Sequence, residues 1–312
     1  MSVRTGGEQV AAATFERTFG PAVGIPTPAA SGVRGTYFAP PDGAAAPGVV
    51  VLGGSDGGEF PHTAALLAAH GYAALSLAYF GVEDRPTHLE RIELGYFDKA
   101  LDWLVAQPGA DGRLAVLGLS RGGELALQLG ALFPRIGAVV AAAPSSVRQA
   151  GLTSNWIDFT QPAWVHDGTP LPFVPGRFGP PQFLAALVNW ALRRPLRQRR
   201  MFERLYRDIA LTGPATIEVE RIAGPVLLLS GTSDELWPSG RYAEDVLARL
   251  RAHGHQHADR HASHPGAGHF VSAPYGMPSL PPMTRLSPGP GFTIDFGGSP
   301  EHNAASASRS WQ

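Results

Sequence analysis

A serine between two glycines is the strongest chemical signal in the sequence. Residues 113–127 read RLAVLGLSRGGELAL, in which an apolar run enters a G-x-S-x-G motif centred on Ser120 and a helix-forming run leaves it. A strand, tight turn and helix in this order hold a serine hydroxyl above the carboxyl edge of a sheet, and Gly118 and Gly122 avoid collisions with the backbone there. The motif predicts that Ser120 is a nucleophile for acyl transfer.

A serine nucleophile needs a general base and an acid that orients the base, in the chain order Ser, then Asp or Glu, then His. Asp234 follows the apolar run 225–230 and is placed to accept a hydrogen bond from an imidazole N–H. Glu235 is the alternative acid at this place. His269 lies in a glycine-flanked loop near the end of the chain and is the expected base, with His264 as its main competitor.

The oxyanion of an acyl-transfer intermediate needs backbone N–H donors beside the nucleophile. One donor is expected from Arg121, directly after the serine, and the second from Gly54 or Ser55 in the loop that follows an early apolar strand. That loop, VVVLGGSDGG at 49–58, lacks the Lys-Ser or Lys-Thr of a phosphate loop and does not match G-x-G-x-x-G. We therefore expect no bound cofactor.

Histidines cluster near the carboxyl end of the chain, where six of the eleven lie between positions 253 and 269. His253, His255 and His257 alternate after a predicted helix, and no carboxylate stands at a fixed spacing from them. We therefore expect no metal site.

Short apolar runs alternate with helical patterns along the chain, which predicts a mostly parallel sheet covered by helices on both faces. The expected strands are 33–38 at a sheet edge, then 49–52, 73–78, 114–119, 137–143 and 226–230. The expected helices are 62–70, 89–105, 122–132, 241–253 and one that begins near 300. With the serine motif at the end of a central strand, this order predicts the α/β-hydrolase fold.

The alternation of strand and helix patterns stops between about 145 and 222. This stretch is too long for a structureless connection. We interpret this stretch as a cap inserted into a single catalytic domain over residues 1–312. Its second half carries seven arginines that either meet an anionic group such as a coenzyme A phosphate or form a solvated helix face, at positions 193, 194, 197, 199, 200, 204 and 207.

Composition narrows the function classes. The formal net charge is −1 and the sequence has no long basic run, which argues against a nucleic acid partner. The sequence has no cysteine, which excludes disulfides and thiol nucleophiles. The apolar runs are far shorter than the ~20 residues of a membrane-spanning helix, and the first residues lack the apolar stretch of a secretory signal. We expect a cytoplasmic protein, and its oligomeric state stays open.

Several segments together resemble the catalytic domain of the acyl-CoA thioester hydrolase and bile acid-CoA:amino acid N-acyltransferase family. The resemblance covers roughly residues 35–311, and its motifs are VVVLGGSDGG, LSLAYFGVEDRP, GYFDKALDWL, LGLSRGGELAL, LLLSGTSDELWPS and HPGAGHFVSAPY. It implies an α/β-hydrolase fold and a triad of Ser120, Asp234 and His269. The serine motif and the chain order of the candidate acid and base indicate the same three side chains.

Two departures from the family shape the expected activity. Mammalian-type members carry an amino-terminal β-sandwich that this sequence does not show. The acyltransferase branch uses a cysteine where this chain has Ser120, which favours transfer of the acyl group to water. The sequence thus predicts an acyl-CoA thioesterase-like serine hydrolase. An oxygen-ester or lactone hydrolase, an acyltransferase and, least favoured, a non-catalytic binding protein remain as alternatives.

Overall fold

The computed structural model describes residues 2–5, 8–12, 23–155, 158–177, 179–272, 284–289 and 292–312. Part of the amino-terminal stretch behind the expectation of no secretory signal lies outside these ranges, as does the end of the HPGAGHFVSAPY segment. No helix in the described ranges is long and apolar enough to cross a bilayer.

An eight-stranded sheet organises the chain. In chain order its strands are β1 (Gly24–Pro26), β2 (Gly35–Phe38), β3 (Ala46–Leu52), β4 (Ala73–Leu77), β5 (Ala110–Leu119), β6 (Ile136–Ala142), β7 (Val226–Gly231) and β8 (Arg260–His264). Their spatial order is β8-β7-β6-β5-β3-β4-β2-β1. The strands from β3 to β8 pair in parallel, and β2 pairs antiparallel with both β4 and β1.

Eight α-helices accompany the sheet in the described ranges. They are α1 (Pro61–Ala69), α2 (Gly95–Val105), α3 (Arg121–Leu132), α4 (Pro180–Ala191), α5 (Arg199–Tyr206), α6 (Ile209–Ala215), α7 (Ser239–Ala252) and α8 (Pro300–Trp311). Two 3₁₀ turns span Ala29–Ser31 and Val219–Arg221. Short pairings outside the main sheet join Ser2–Thr5 with Glu8–Ala12, Asp158–Phe159 with Gly176–Arg177, Ile92–Glu93 with Trp164–His166 and Thr169–Pro170, and Arg285–Gly289 with Phe292–Asp295.

The two faces of the sheet carry separate apolar clusters because successive strand residues point to opposite sides. Val49 and Val51 of β3 pack with α1, and Trp311 of α8 joins them. Val50 and Leu52 of the same strand belong to the larger cluster, which also holds residues of α2, α3 and α7. The prediction of a mostly parallel sheet with helices on both faces is therefore confirmed.

The predicted sheet position of one strand and the predicted start of one helix were wrong, and strand pairing explains both. The strand expected at the sheet edge, β2, lies one position inside it, because β1 pairs on its outer side. The helix expected over 89–105 begins only at Gly95, because Ile92 and Glu93 pair with Trp164–His166. Trp164–His166 is distant in sequence from Ile92, so local periodicity did not reveal that pairing, and β1 spans only three residues, which is too short for a periodic pattern.

Residues 145–222 contain α4, α5, α6 and several of the short pairings rather than one long helical unit. Pro195 lies between α4 and α5. This stretch connects β6 to β7, and both of those strands end at the edge of the sheet where Ser120 lies.

The serine turn tolerates no added side-chain volume. A Cβ on Gly122 would lie 2.4 Å from the Gly53 carbonyl oxygen and 2.6 Å from that of Leu52, whereas a Cβ on Gly213 would meet nothing within 4 Å. We predict that Gly122→Ala lowers the free energy of unfolding by about 2 kcal/mol or more, because β3 must move away from the turn. Urea denaturation measures the change.

Gly213→Ala is the matched control. Gly213 is exposed within α6, so alanine there should be neutral or stabilising by up to about 1 kcal/mol. Equal stabilities of the Gly122→Ala variant and the unsubstituted protein would contradict the close approach of the turn to β3.

Candidate active site

Ser120 lies at a strained turn between β5 and α3. Its backbone has φ 60° and ψ −120°, a conformation that side-chain-bearing residues rarely adopt. Its N–H donates to the carbonyl oxygen of Ala142 at 2.8 Å, which ties the turn to the end of β6. Because Ser120 stands at the amino terminus of α3, the helix dipole favours negative charge beside it.

His269 and Asp234 form a buried pair, and each side chain is 1% exposed. Nδ1 of His269 is 2.8 Å from Oδ2 of Asp234. The same Oδ2 accepts the hydroxyl of Ser239 at 2.6 Å, and Oδ1 accepts the amides of Leu236 at 2.9 Å and Trp237 at 3.2 Å. The Asp234 carboxylate is thus held by three donors of its own loop and by its contact with the imidazole, which fixes the orientation of the His269 ring.

The other ring nitrogen of His269 has different surroundings. Within the described ranges, Nε2 is buried and has no hydrogen-bond partner. The ring lies edge-on to Trp237, at 5.6 Å between centroids, and 5.8 Å from the ring of Phe296. The His269 amide also donates to the Phe296 carbonyl oxygen at 2.9 Å. Packing against Trp237 and Phe296 therefore holds the imidazole ring in place.

Trp237 connects this pair to the serine turn. Its indole Nε1 donates to the Ala143 carbonyl oxygen at 3.1 Å. Ala143 directly follows Ala142, whose carbonyl oxygen accepts the Ser120 amide. The candidate nucleophile, base and acid thus lie beyond the carboxyl ends of β5, β8 and β7.

The expected oxyanion donors belong to the start of α3 and to the loop after β3. Arg121 begins α3, so its amide is one of the unpaired N–H groups of the helix start. A Cβ on Gly54 would lie 3.6 Å from Cβ of Ser120, which places residue 54 beside the nucleophile. Ser55 is exposed. Of the two loop candidates, Gly54 has the contact with Ser120.

The two competing side chains have other partners. Nε2 of His264 is 3.0 Å from the Ser310 hydroxyl in α8, and burial, followed by the charge of Arg309, lowers the pKa of His264. Glu235 lines a separate cavity among arginines. The structure brings neither His264 to Asp234 nor Glu235 to His269.

The histidines that alternate at 253–257 bind protein groups. Nδ1 of His253 is 2.9 Å from the Arg249 carbonyl oxygen, and Nδ1 of His255 is 2.7 Å from Asp259. The ring of His257 lies 4.7 Å from that of His255.

Elsewhere in the described ranges, ligand atoms of Glu93, His166 and Asp167 lie within 4.8 Å of one another. The Glu93 carboxylate already accepts the amides of Asp167 at 3.0 Å and Gly168 at 3.2 Å.

A buried ion pair beneath the serine turn was not predicted. The Arg121 guanidinium turns inward, 3.4 Å from Oε2 of Glu124, and donates to the Gln149 carbonyl oxygen at 3.1 Å. Oε1 of Glu124 accepts the Trp164 indole N–H at 2.8 Å. Burial raises the pKa of Glu124, and the Arg121 charge opposes the rise. Their spacing of three residues at the start of a helix was the available signal.

Comparison with known proteins agrees with this architecture. Mouse acyl-coenzyme A thioesterase 1 is 32% identical over 309 residues, which cover 98% of this chain and 68% of the relative. Mouse mitochondrial acyl-coenzyme A thioesterase 2 is also 32% identical, over 98% of this chain and 62% of the relative. The chain thus spans about two thirds of the length of these relatives.

Among solved structures, one named m3DLH superposes with a TM-score of 0.50 at 20% identity, covering 91% of this chain and 93% of the other. This similarity supports the α/β-hydrolase fold alone. A sequence profile of the BAAT / acyl-CoA thioester hydrolase C-terminal family matches residues 92–312. The chain therefore belongs to the BAAT / acyl-CoA thioester hydrolase C-terminal family.

Proposed function

We propose that the protein is a serine hydrolase that cleaves acyl thioesters, with Ser120 as nucleophile, His269 as general base and Asp234 as the acid that orients it. The observation that carries the proposal is the buried His269–Asp234 hydrogen bond of 2.8 Å, which leaves Nε2 of the imidazole free of partners in the described ranges. An imidazole in this state is a proton acceptor.

In the proposed reaction, Nε2 of His269 takes the Ser120 proton as the serine oxygen attacks the thioester carbonyl. The carbon–sulfur bond then breaks, and the leaving thiolate carries the electron pair and accepts the proton from the imidazolium. Water next attacks the acyl-serine with His269 as base, and the imidazolium returns the proton to the Ser120 oxygen as its bond to the acyl carbon breaks and the free acid leaves. Asp234 stays ionised and stabilises the imidazolium in both steps.

The developing oxyanion is assigned to the backbone amides of Arg121 and residue 54 or 55. The contact between Gly54 and Ser120 favours Gly54, and the start of α3 supplies the amide of Arg121. Pre-oriented N–H groups at this place stabilise the tetrahedral intermediate at little reorganisation cost.

The proposal extends to the domain organisation and the substrate class. We propose one catalytic domain over residues 1–312, in which the segment 145–222 caps the substrate site, and an acyl thioester as the small-molecule partner. The relatives' names support that substrate class, since both are acyl-coenzyme A thioesterases. A cytoplasmic location remains a prediction from the sequence, and one of these relatives is mitochondrial.

We predict that a panel of acyl-CoAs, p-nitrophenyl esters and lactones gives the highest kcat/KM with acyl-CoAs.

Ser120→Ala or His269→Ala should lower kcat on the order of 10⁴- to 10⁶-fold, because the three side chains act as one unit. A fluorophosphonate probe with mass spectrometry should locate the label on Ser120. Turnover of esters but not thioesters would reject the thioesterase assignment, and labelling at another residue would reject Ser120.

The choice between the two neighbouring acids has its own prediction. Asp234→Asn should lower kcat about 10³- to 10⁴-fold near neutral pH, because the amide favours the wrong imidazole tautomer. Glu235→Gln is the matched control and should leave kcat nearly unchanged at saturating substrate. If the two results were exchanged, Glu235 would be the orienting acid.

Ser239 is a positioning residue in this proposal, since its hydroxyl donates to the Asp234 oxygen that also binds His269. We predict that Ser239→Ala lowers the free energy of unfolding by about 1.5–3 kcal/mol, the cost of one hydrogen bond to a charged group. In an Asp234→Asn background the same substitution should cost less, which a double-mutant cycle by urea denaturation measures. Equal costs in both backgrounds would show that Ser239 acts independently of the carboxylate.

A further inference from the structure

A cavity rich in arginine lies next to the loop that carries Asp234. Its volume is about 800 Å³, and its lining includes Arg194, Arg197, Arg199, Arg200 and Arg285. Two carboxylates, Glu203 and Glu235, also line it. Five positive and two negative side chains give this cavity a formal charge of +3, in a chain whose net charge is −1.

Only part of this positive charge is neutralised by protein groups. Arg199 pairs with Glu203 at 2.8 Å, and Asp295 lies 3.1 Å from Arg197 and 3.9 Å from Arg285.

Arg194 and Arg200 differ from these three. Across the ranges that the structure describes, neither guanidinium has a carboxylate within ion-pair distance. Two unpaired guanidinium groups in one cavity are suited to an anion with several oxygens, because arginine binds phosphate in a bidentate manner.

Direct contacts connect the cavity to the proposed active site. The Arg199 guanidinium donates to the Asp234 carbonyl oxygen at 3.2 Å, and the Arg199 amide donates to that of Glu235 at 3.0 Å. Asp295, which lies within ion-pair distance of Arg197 and Arg285, precedes Phe296, whose ring packs against His269. The cavity therefore adjoins the loop that carries Asp234 and the segment that packs against His269.

We propose that this cavity is the subsite for the phosphate groups of a coenzyme A leaving group. The inference rests on the proposed thioesterase function. In an acyl-CoA the long pantetheine arm separates the phosphates from the reacting carbonyl, so a phosphate site must lie near the catalytic side chains without touching them. The arginine cavity has this position, and Arg194 and Arg200 carry the unpaired charge that the phosphates require.

The same segment supplies an internal control. Arg204 and Arg207 belong to the same arginine-rich stretch and are exposed like Arg194 and Arg200, but they do not line the cavity. Arg204→Gln/Arg207→Gln removes the same charge as Arg194→Gln/Arg200→Gln. A comparison of the two variants separates a specific subsite from the general attraction of a basic surface.

The experiment measures binding and selectivity in parallel. Calorimetric titration of coenzyme A into proteins that also carry Ser120→Ala gives Kd without turnover. Steady-state kinetics gives the ratio of kcat/KM for an acyl-CoA to that for the matching acyl-N-acetylcysteamine thioester, which has no phosphate. Arg194→Gln/Arg200→Gln should weaken coenzyme A binding, and lower this ratio, by about tenfold to a hundredfold. Arg204→Gln/Arg207→Gln should change both by less than about twofold.

The possible outcomes test the phosphate subsite and the thioesterase function separately. Unchanged coenzyme A binding in Arg194→Gln/Arg200→Gln overturns the subsite, and thioester turnover then still supports the hydrolase. Equal weakening in both double variants also overturns it, because the effect would be that of overall charge. If no thioester is cleaved but coenzyme A binding depends on Arg194 and Arg200, the subsite stands and the thioesterase assignment fails.

Discussion

The close approach of the serine turn to its neighbours is the constraint on which the rest of the site depends. A Cβ on Gly118 would lie 2.0 Å from the Gly122 carbonyl oxygen, and one on Gly123 would lie 2.7 Å from that of Ala142. Without side chains at these positions, β5 turns directly into α3 and Ser120 is held in its strained conformation. The start of α3 is thereby fixed against β3 and β6.

A buried polar network supports this turn from below. Glu124 is fully buried, and its carboxylate is stabilised by the Arg121 guanidinium, the Trp164 indole and the Gln149 amide. Trp164 and Gln149 both belong to the segment between β6 and β7. Because an unpaired charge in this environment is costly, the network couples the position of that segment to the start of α3. The proposed cap and the proposed nucleophile thus share one set of contacts.

The loop that carries Asp234 is held by a second group of contacts, which come from the end of the chain. The backbone of Asp234 pairs with Gly297, and that of Ala267 pairs with Gly298. A Cβ on Gly268 would lie 2.1 Å from the Gly297 carbonyl oxygen, so these segments pack backbone to backbone. The proposed acid and base are therefore held by residues that follow both of them in sequence, and Phe296 on this last segment packs against the imidazole.

The sequence by itself determined the alternation of strands and helices, the turn around Ser120 and the order of Ser120, Asp234 and His269. These features depend on local periodicity and on residues that lie close in the chain. Only the tertiary structure showed that His269 contacts Asp234 and that His264 contacts Ser310, because the partners of adjacent or similar side chains depend on the fold. The burial of the Arg121–Glu124 pair, the contact of Ser239 with Asp234 and the arginine cavity also required the fold, since the direction and burial of these side chains depend on the segments that pack around them.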